Sequence, residues 1–343
     1  MIHRLFIFVA IFALPTSLLA QGKPKVFTGP KGSVWGVALS HDGTLLAAAS
    51  DVSENKKNDQ GMDVTRIKGS EIRVWDVAKG EERKLFTHTM QFGDLAFSPD
   101  AKLVAAGTFK EIRLYDLGSG QVKQTLKDFE GSAKHLTFSA DGKTLFSTNA
   151  WFGKAEIRLW NVAEGKLLKT LTDSGKVEFT GLGVSSDGKT LATSARLTEG
   201  GFSGQVKIWD VASGTAKQTI VEPKNWINSV ALSPDGKLVA APTQFTISIW
   251  DAQTGKLQRS VKEFVSSLEF LPGGTTLTGY INSGDGTDVK FIDAKTGRVK
   301  QTVKVKQKGL AHCGISPDGK WLACGSGDAG TGEVQVIDIS RIK

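Results

Sequence analysis

Residues that carry chemistry are scarce in this chain. Its 343 residues include two cysteines and five histidines. No metal-ligand spacing occurs among them, and no haem-attachment motif is present, so no metal or cofactor is assigned. Beyond the first 20 residues the histidines are His41, His88, His135 and His312, one in each of four separate stretches. None has a serine or cysteine beside it in a nucleophile motif, and no catalytic residue is assigned. Charge of one sign is also lacking: 43 Lys and Arg stand against 35 Asp and Glu. Many of the lysines fall in tight turns, such as Lys143, Lys189 and Lys237. Without a basic stripe interleaved with stacking aromatics, nucleic-acid binding is excluded.

Long apolar runs are absent but for one. Residues 5–14 are wholly apolar, follow Arg4, and lead through Pro15 to Ala20. This is the layout of a secretory signal peptide over residues 1–20. The run is short for a membrane span of about 20 residues, and no cysteine near Ala20 offers a lipid anchor. The expectation is a soluble monomer of residues 21–343, exported to the periplasm or the medium, with no stable membrane insertion.

What the chain has is repetition. Seven segments end in a hydrophobic residue followed by Asp or Asn: Val74-Trp75-Asp76, Leu114-Tyr115-Asp116, Leu159-Trp160-Asn161, Ile208-Trp209-Asp210, Ile249-Trp250-Asp251, Phe291-Ile292-Asp293 and Val336-Ile337-Asp338. Successive copies lie 40 to 49 residues apart. A period in this range with strand chemistry inside it marks an array of small sheets. Glu71 to Trp75 alternates, with Ile72 and Val74 on one face and Arg73 and Trp75 on the other. Each unit also has an apolar strand, a turn such as Ser233-Pro234-Asp235-Gly236 or Ser316-Pro317-Asp318-Gly319, and a strand of small residues such as Leu103-Val104-Ala105-Ala106. The turns supply the residues that tight hairpins demand. Pro99-Asp100-Ala101 lacks the glycine and Pro272-Gly273-Gly274 the acid.

These units resemble WD40 repeats of the bacterial kind whose first hairpin reads Ser-Pro-Asp-Gly, over residues 25–339. The resemblance implies an all-β fold: a seven-bladed β-propeller of four-stranded antiparallel blades. Only four residues follow Ile339, too few for another strand, whereas Pro24 to Thr28 matches the outer strands of other units. The N-terminal strand is therefore expected to complete the last blade and close the ring. The Gly-His pair that often precedes a WD40 first strand is missing from every unit, so the buried Asp–His–Ser/Thr–Trp network of the family is not carried over.

In such blades the first and third connections share one face, the second and fourth the other. The first and third are short and uniform here. The second varies, with twenty residues in Asp51 to Ser70, and insertions at Asn149 to Lys154 and Arg196 to Ser203. Binding residues concentrate on loops over a rigid scaffold, so this face is the expected binding surface for a protein or a cell-surface polymer. Its candidate residues are Asn55, Lys57, Arg66, Trp151, Phe152, Phe202 and Trp226. The alternative is that each aromatic folds back over its own blade edge. The competing reading is a lactonase- or hydrolase-like enzyme with a site at the mouth of the central channel; it needs converging His or carboxylates on the first strands, which carry few. His135 and His312 are expected between blades.

In the last unit, Ile315 facing Leu322 across the turn puts Cys313 opposite Cys324. Either a disulfide or two buried thiols acting as apolar filler fits that placement.

Overall fold

A computed structural model describes residues 23–57, 60, 62–127, 129–151, 154–199, 203–223, 225–283, 286–306, 312–326 and 332–342. They form seven four-stranded antiparallel sheets, and no helix occurs among them. Blade one runs outward through Val34–Leu39, Leu45–Lys57, Asp63–Asp76 and Glu81–His88, and blades two to six repeat this order. Blade seven consists of His312–Ile315, Trp321–Gly325, Glu333–Asp338 and, as its outer strand, Lys25–Thr28. The two ends of the chain thus share one sheet, as expected.

The core follows from the period-two pattern. Seven apolar clusters occur, one at each junction between neighbouring blades. Ile72 and Val74 pack with Leu95, Val104 and Tyr115 of blade two. Trp75, on the opposite face of the same strand, packs with Phe27, Val334 and Val336 of blade seven. Each blade is therefore apolar on both faces and cannot bury either alone. Ile292 and Ile337 occupy the Trp75 position in blades six and seven and fill the corresponding clusters. The small second-strand residues permit close approach: a Cβ at Gly107 would lie 2.6 Å from the Ala133 carbonyl of the next blade.

Six first turns share one hydrogen-bond set. In blade three, Ser139 Oγ donates to Asp141 Oδ1 (2.6 Å) and accepts from the Thr144 amide (3.0 Å), while Asp141 accepts from the Lys143 amide. In blade two Ala101 takes the left-handed position, at φ 55°, where glycines such as Gly142 stand elsewhere. A side chain costs about 1–2 kcal/mol there, against about 0.5–1 kcal/mol for glycine's added chain entropy. Ala101→Gly should therefore raise stability by about 0.5–1 kcal/mol, read as a higher denaturation midpoint at unchanged slope.

Cys313 stands opposite Cys324, as Ile315 does Leu322. The two sulfurs are bonded at 2.05 Å.

Candidate functional site

The turn face is structural in its chemistry. The strand-end acids accept from turn amides: Asp76 from Ala78 and Lys79, Asp251 from Gln253 and Thr254, and Asn161 plays the same part for Ala163 and Glu164. The Ser139 hydroxyl and the Lys143 amide likewise hold the Asp141 carboxyl below its ordinary pKa. These are carboxylates committed to backbone, not to a reaction.

The opposite face carries the insertions, and their form differs from the loop that the sequence suggests. Asp51 to Ser70 is no loop but a projecting two-stranded ribbon, paired from Asp51↔Ser70 out to Lys57↔Asp63. Lys57 and Arg66 stand exposed on it, and Asn55 pairs in its backbone with Thr65. Glu54, opposite Arg66, takes Lys68 at 2.5 Å. In blade three the backbone of Trp151 pairs with Lys154, closing a similar ribbon. The Asn55 and Trp151 side chains, and Phe152 and Phe202 entirely, lie outside the described residues. Trp226, on the connection from blade four to blade five, is 45% exposed. The Arg196 guanidinium lies over its ring at 5.1 Å, and Arg196 Nη2 donates to Asn228 Oδ1 (2.7 Å). The arrangement holds the indole out at the surface beside a cation.

Two aromatics on this face escape sequence reasoning. Phe245 (72% exposed) tips the four-residue turn of blade five, and Phe264 (49%) follows that blade's outer strand. With Trp35 and Trp226 they are the exposed large aromatics among the described residues, and all four stand on the insertion face. Trp226, Phe245 and Phe264 fall on successive connections around blade five. That blade's short turn sits between the longer ribbons of blades four (Thr190–Leu197 with Ser203–Asp210) and six (Thr276–Ser283 with Gly286–Asp293). Asking which connections are long misses them; asking where an apolar residue occupies a hairpin tip would have found Phe245.

A cavity of about 720 Å³ runs along the ring axis. Four residues before the first-turn serine, or the Leu271 that replaces it in blade six, each blade presents one residue to it: Gly36, Asp94, His135, Gly181, Ser229, Ser267 and His312. Several reach across to the next blade. Asp94 Oδ2 accepts from the Leu136 amide (2.9 Å), His135 bonds the backbone at Phe179, and Ser229 Oγ accepts from the Leu268 amide (3.2 Å). His135 and His312 thus face the channel rather than lying buried between blades. Two residues further on, Glu269 accepts from the Ile315 amide of blade seven. Among the described residues no three of His, Cys, Asp and Glu stand close enough to share a metal ion.

The channel walls disfavour charge here, although the Glu269 side chain is itself exposed to the channel. Desolvation pushes Asp94 up to about 6 and Glu269 up to about 7, and His135 down to about 4. A carboxyl with a raised folded pKa binds more protons folded than unfolded between the two values, so its contribution to stability falls as pH rises from about 4 to 7. Glu269→Gln should therefore melt higher than the parent at pH 8 and alike at pH 4. Equal melting points at both would show that Glu269 titrates normally.

The closed ring, its insertion face and its inter-blade cores define a seven-bladed β-propeller. The family described as "WD domain, G-beta repeat" matches residues 22–53, 165–210, 214–251 and 297–330. These four segments are similar to WD40 repeats. Each matched segment begins at or just before an outer strand and runs into the following blade, so the sequence repeat is offset by one strand from the blade, which is what ring closure by the N-terminal strand requires. Autophagy-related protein 16 of Arabidopsis thaliana is 24% identical over 265 residues, 75% of this chain and 49% of that protein. Protein tipD of Dictyostelium discoideum is 28% identical over 253 residues, 70% of this chain and 39% of its own length. The chain thus spans half or less of either. The serine-threonine kinase receptor-associated protein of Gallus gallus is 26% identical over 299 residues, 84% of this chain and 72% of that protein.

Proposed function

We propose that this propeller is an exported bacterial scaffold without catalytic activity, which holds a protein partner on its insertion face. The observation that carries this reading is the segregation of exposed aromatics: Trp35, Trp226, Phe245 and Phe264 all stand on that face. Large aromatics dominate interface energetics, and a ring of inter-blade cores supplies the rigid support a binding surface needs. A relative whose name ties it to another protein, the serine-threonine kinase receptor-associated protein, supports a scaffold role. The signal-peptide layout supports export. So does the Cys313–Cys324 bond, which persists in oxidising compartments.

Residues 21–343 serve as bait against envelope and culture-supernatant fractions of the host, beside a second bait carrying Trp226→Ala, Phe245→Ser and Phe264→Ser. A protein retained by the first and bound at least tenfold more weakly by the second is the expected result. Equal retention by both baits places the interface elsewhere, and retention of a polysaccharide alone replaces the protein partner with a glycan. The protein recovered from its host should begin at Gln21 and, after denaturation, show no alkylatable thiol. An intact N-terminus would defeat the export reading.

A further inference from the structure

We propose that the axial channel is a second binding site, which takes a small organic cation through an ammonium or guanidinium group. It shares Trp35 with the insertion face but is separate from Trp226, Phe245 and Phe264, and does not depend on the partner proposed above.

The channel presents acids to a space that no described strong base lines. Among the described residues no lysine or arginine lines the cavity, whereas Asp94 and Glu269 both do. Enclosed carboxylates elsewhere are held by side-chain donors: Asp173 takes Lys207 Nζ at 2.6 Å, Glu71 takes Arg73 Nε at 2.8 Å, and Asp51 takes Trp35 Nε1 and Gln91 Nε2 at 2.5 and 2.9 Å. Asp94 instead accepts only from amides, those of Leu95 and Leu136 (2.9 Å each), and Glu269 from the Ile315 amide. A carboxylate oxygen offers about two acceptor sites, so both groups keep capacity toward the cavity. Asp94 is half-buried and Glu269 lies exposed to the channel, and a bound cation would supply the counter-charge that neither has beside it.

The rest of the lining suits an organic cation better than a metal or an anion. No three ligating side chains converge. Trp35 stands at the insertion-face end, its indole fixed by Nε1 donating to Asp51 Oδ2 (2.5 Å) and its ring near His312 (6.5 Å between centroids). Tyr280, bonded to Ser267 and to the backbone at Cys313, adds a second aromatic wall. Aromatic faces beside carboxyls attract alkylated cations. The titratable groups facing the space are Asp94, His135, Glu269, Tyr280 and His312. Lys134, next to His135, is turned to Glu178 in an ion pair. Because desolvation along the channel wall raises both acids toward neutrality, a bound cation should expel protons.

Calorimetric titration of residues 21–343 with putrescine and n-butylamine tests this, with n-butanol and glucose as uncharged comparators. Glu269→Gln keeps its amide acceptor, whereas Asp94→Asn keeps only one of two, its Nδ2 facing the Leu95 or Leu136 N–H, so the melting temperature of each variant is checked before titration. Expected are binding of the amines alone, weakened at least tenfold in each variant, and at pH 6.5 a heat that changes with the ionisation enthalpy of the buffer. Phe245→Ser should bind the amines as the parent does. No heat with either amine overturns the proposal. So do equal amine affinity in the variants and glucose binding that depends on Glu269, which would make the channel a sugar site.

Discussion

A chain that begins at Gly29 should fail to form a stable ring. Lys25–Thr28 is the outer strand of blade seven, in register from Lys25↔Val336 to Thr28↔Glu333. Phe27, only 3% exposed, sits 5.9 Å from the Trp75 ring in the core that joins blades seven and one. Lys25 Nζ also reaches the Val77 carbonyl at 2.9 Å. Removing the strand bares the edge of Glu333–Asp338, a template for pairing with another chain. Phe27→Ala alone should cost about 3–5 kcal/mol, which for a domain of this size lowers the melting temperature by roughly 5 °C. The truncated chain should fall further, by about 10 °C or more on the same scale, and elute as aggregates or swapped dimers. Calorimetry and size exclusion read both effects. A truncated chain that stays monomeric and melts within about a degree of the parent would show that the seven blades close without it.

The same strand shows why the fold was legible. Val26 and Phe27 repeat the outer-strand pattern of Leu85 and Phe86, and a pattern seen seven times outweighs local ambiguity at any one copy. The third strands were equally open to reading, since their hydrophobic ending followed by Asp or Asn recurs in all seven copies. The insertion ribbon was not. Its outer part, Ser53 to Lys57 against Asp63 to Ile67, is largely polar in sequence, so no apolar alternation marks it as strand. Trp226 was found because tryptophan is conspicuous; Phe245 was missed because its turn is among the shortest on its face. The channel ring was harder still. Asp94, His135 and His312 look unrelated until the seven first turns are aligned, because the position demands only a side chain that can span to the next blade.

Asp173→Ala should be the most damaging single change away from the seam, at about 3–5 kcal/mol. The sequence gives no Gly-His pair and hence no licence for the family's buried network, yet the structure keeps part of it. Trp209 Nε1 donates to Thr193 Oγ1 (2.9 Å) and Trp160 Nε1 to Ser147 Oγ (3.0 Å). Asp173 supplies the charged part by another route. From the outer strand of blade three it crosses to blade four, accepting from Gln205 Nε2 (2.9 Å) and Lys207 Nζ (2.6 Å), and it binds the Gly175 amide (2.9 Å). Its side chain is fully enclosed, and that of Lys207 nearly so. Removing the carboxylate strands an enclosed ammonium, which costs far more than an exposed ion pair returns. Adding Lys207→Met removes the stranded charge and should recover half or more of the loss, leaving the unpaired Gln205 amide as the remainder. If instead the double variant melts as low as Asp173→Ala, the damage comes from the Gln205 and Gly175 bonds, and Asp173 acts at this joint as a backbone cap rather than as a counter-ion.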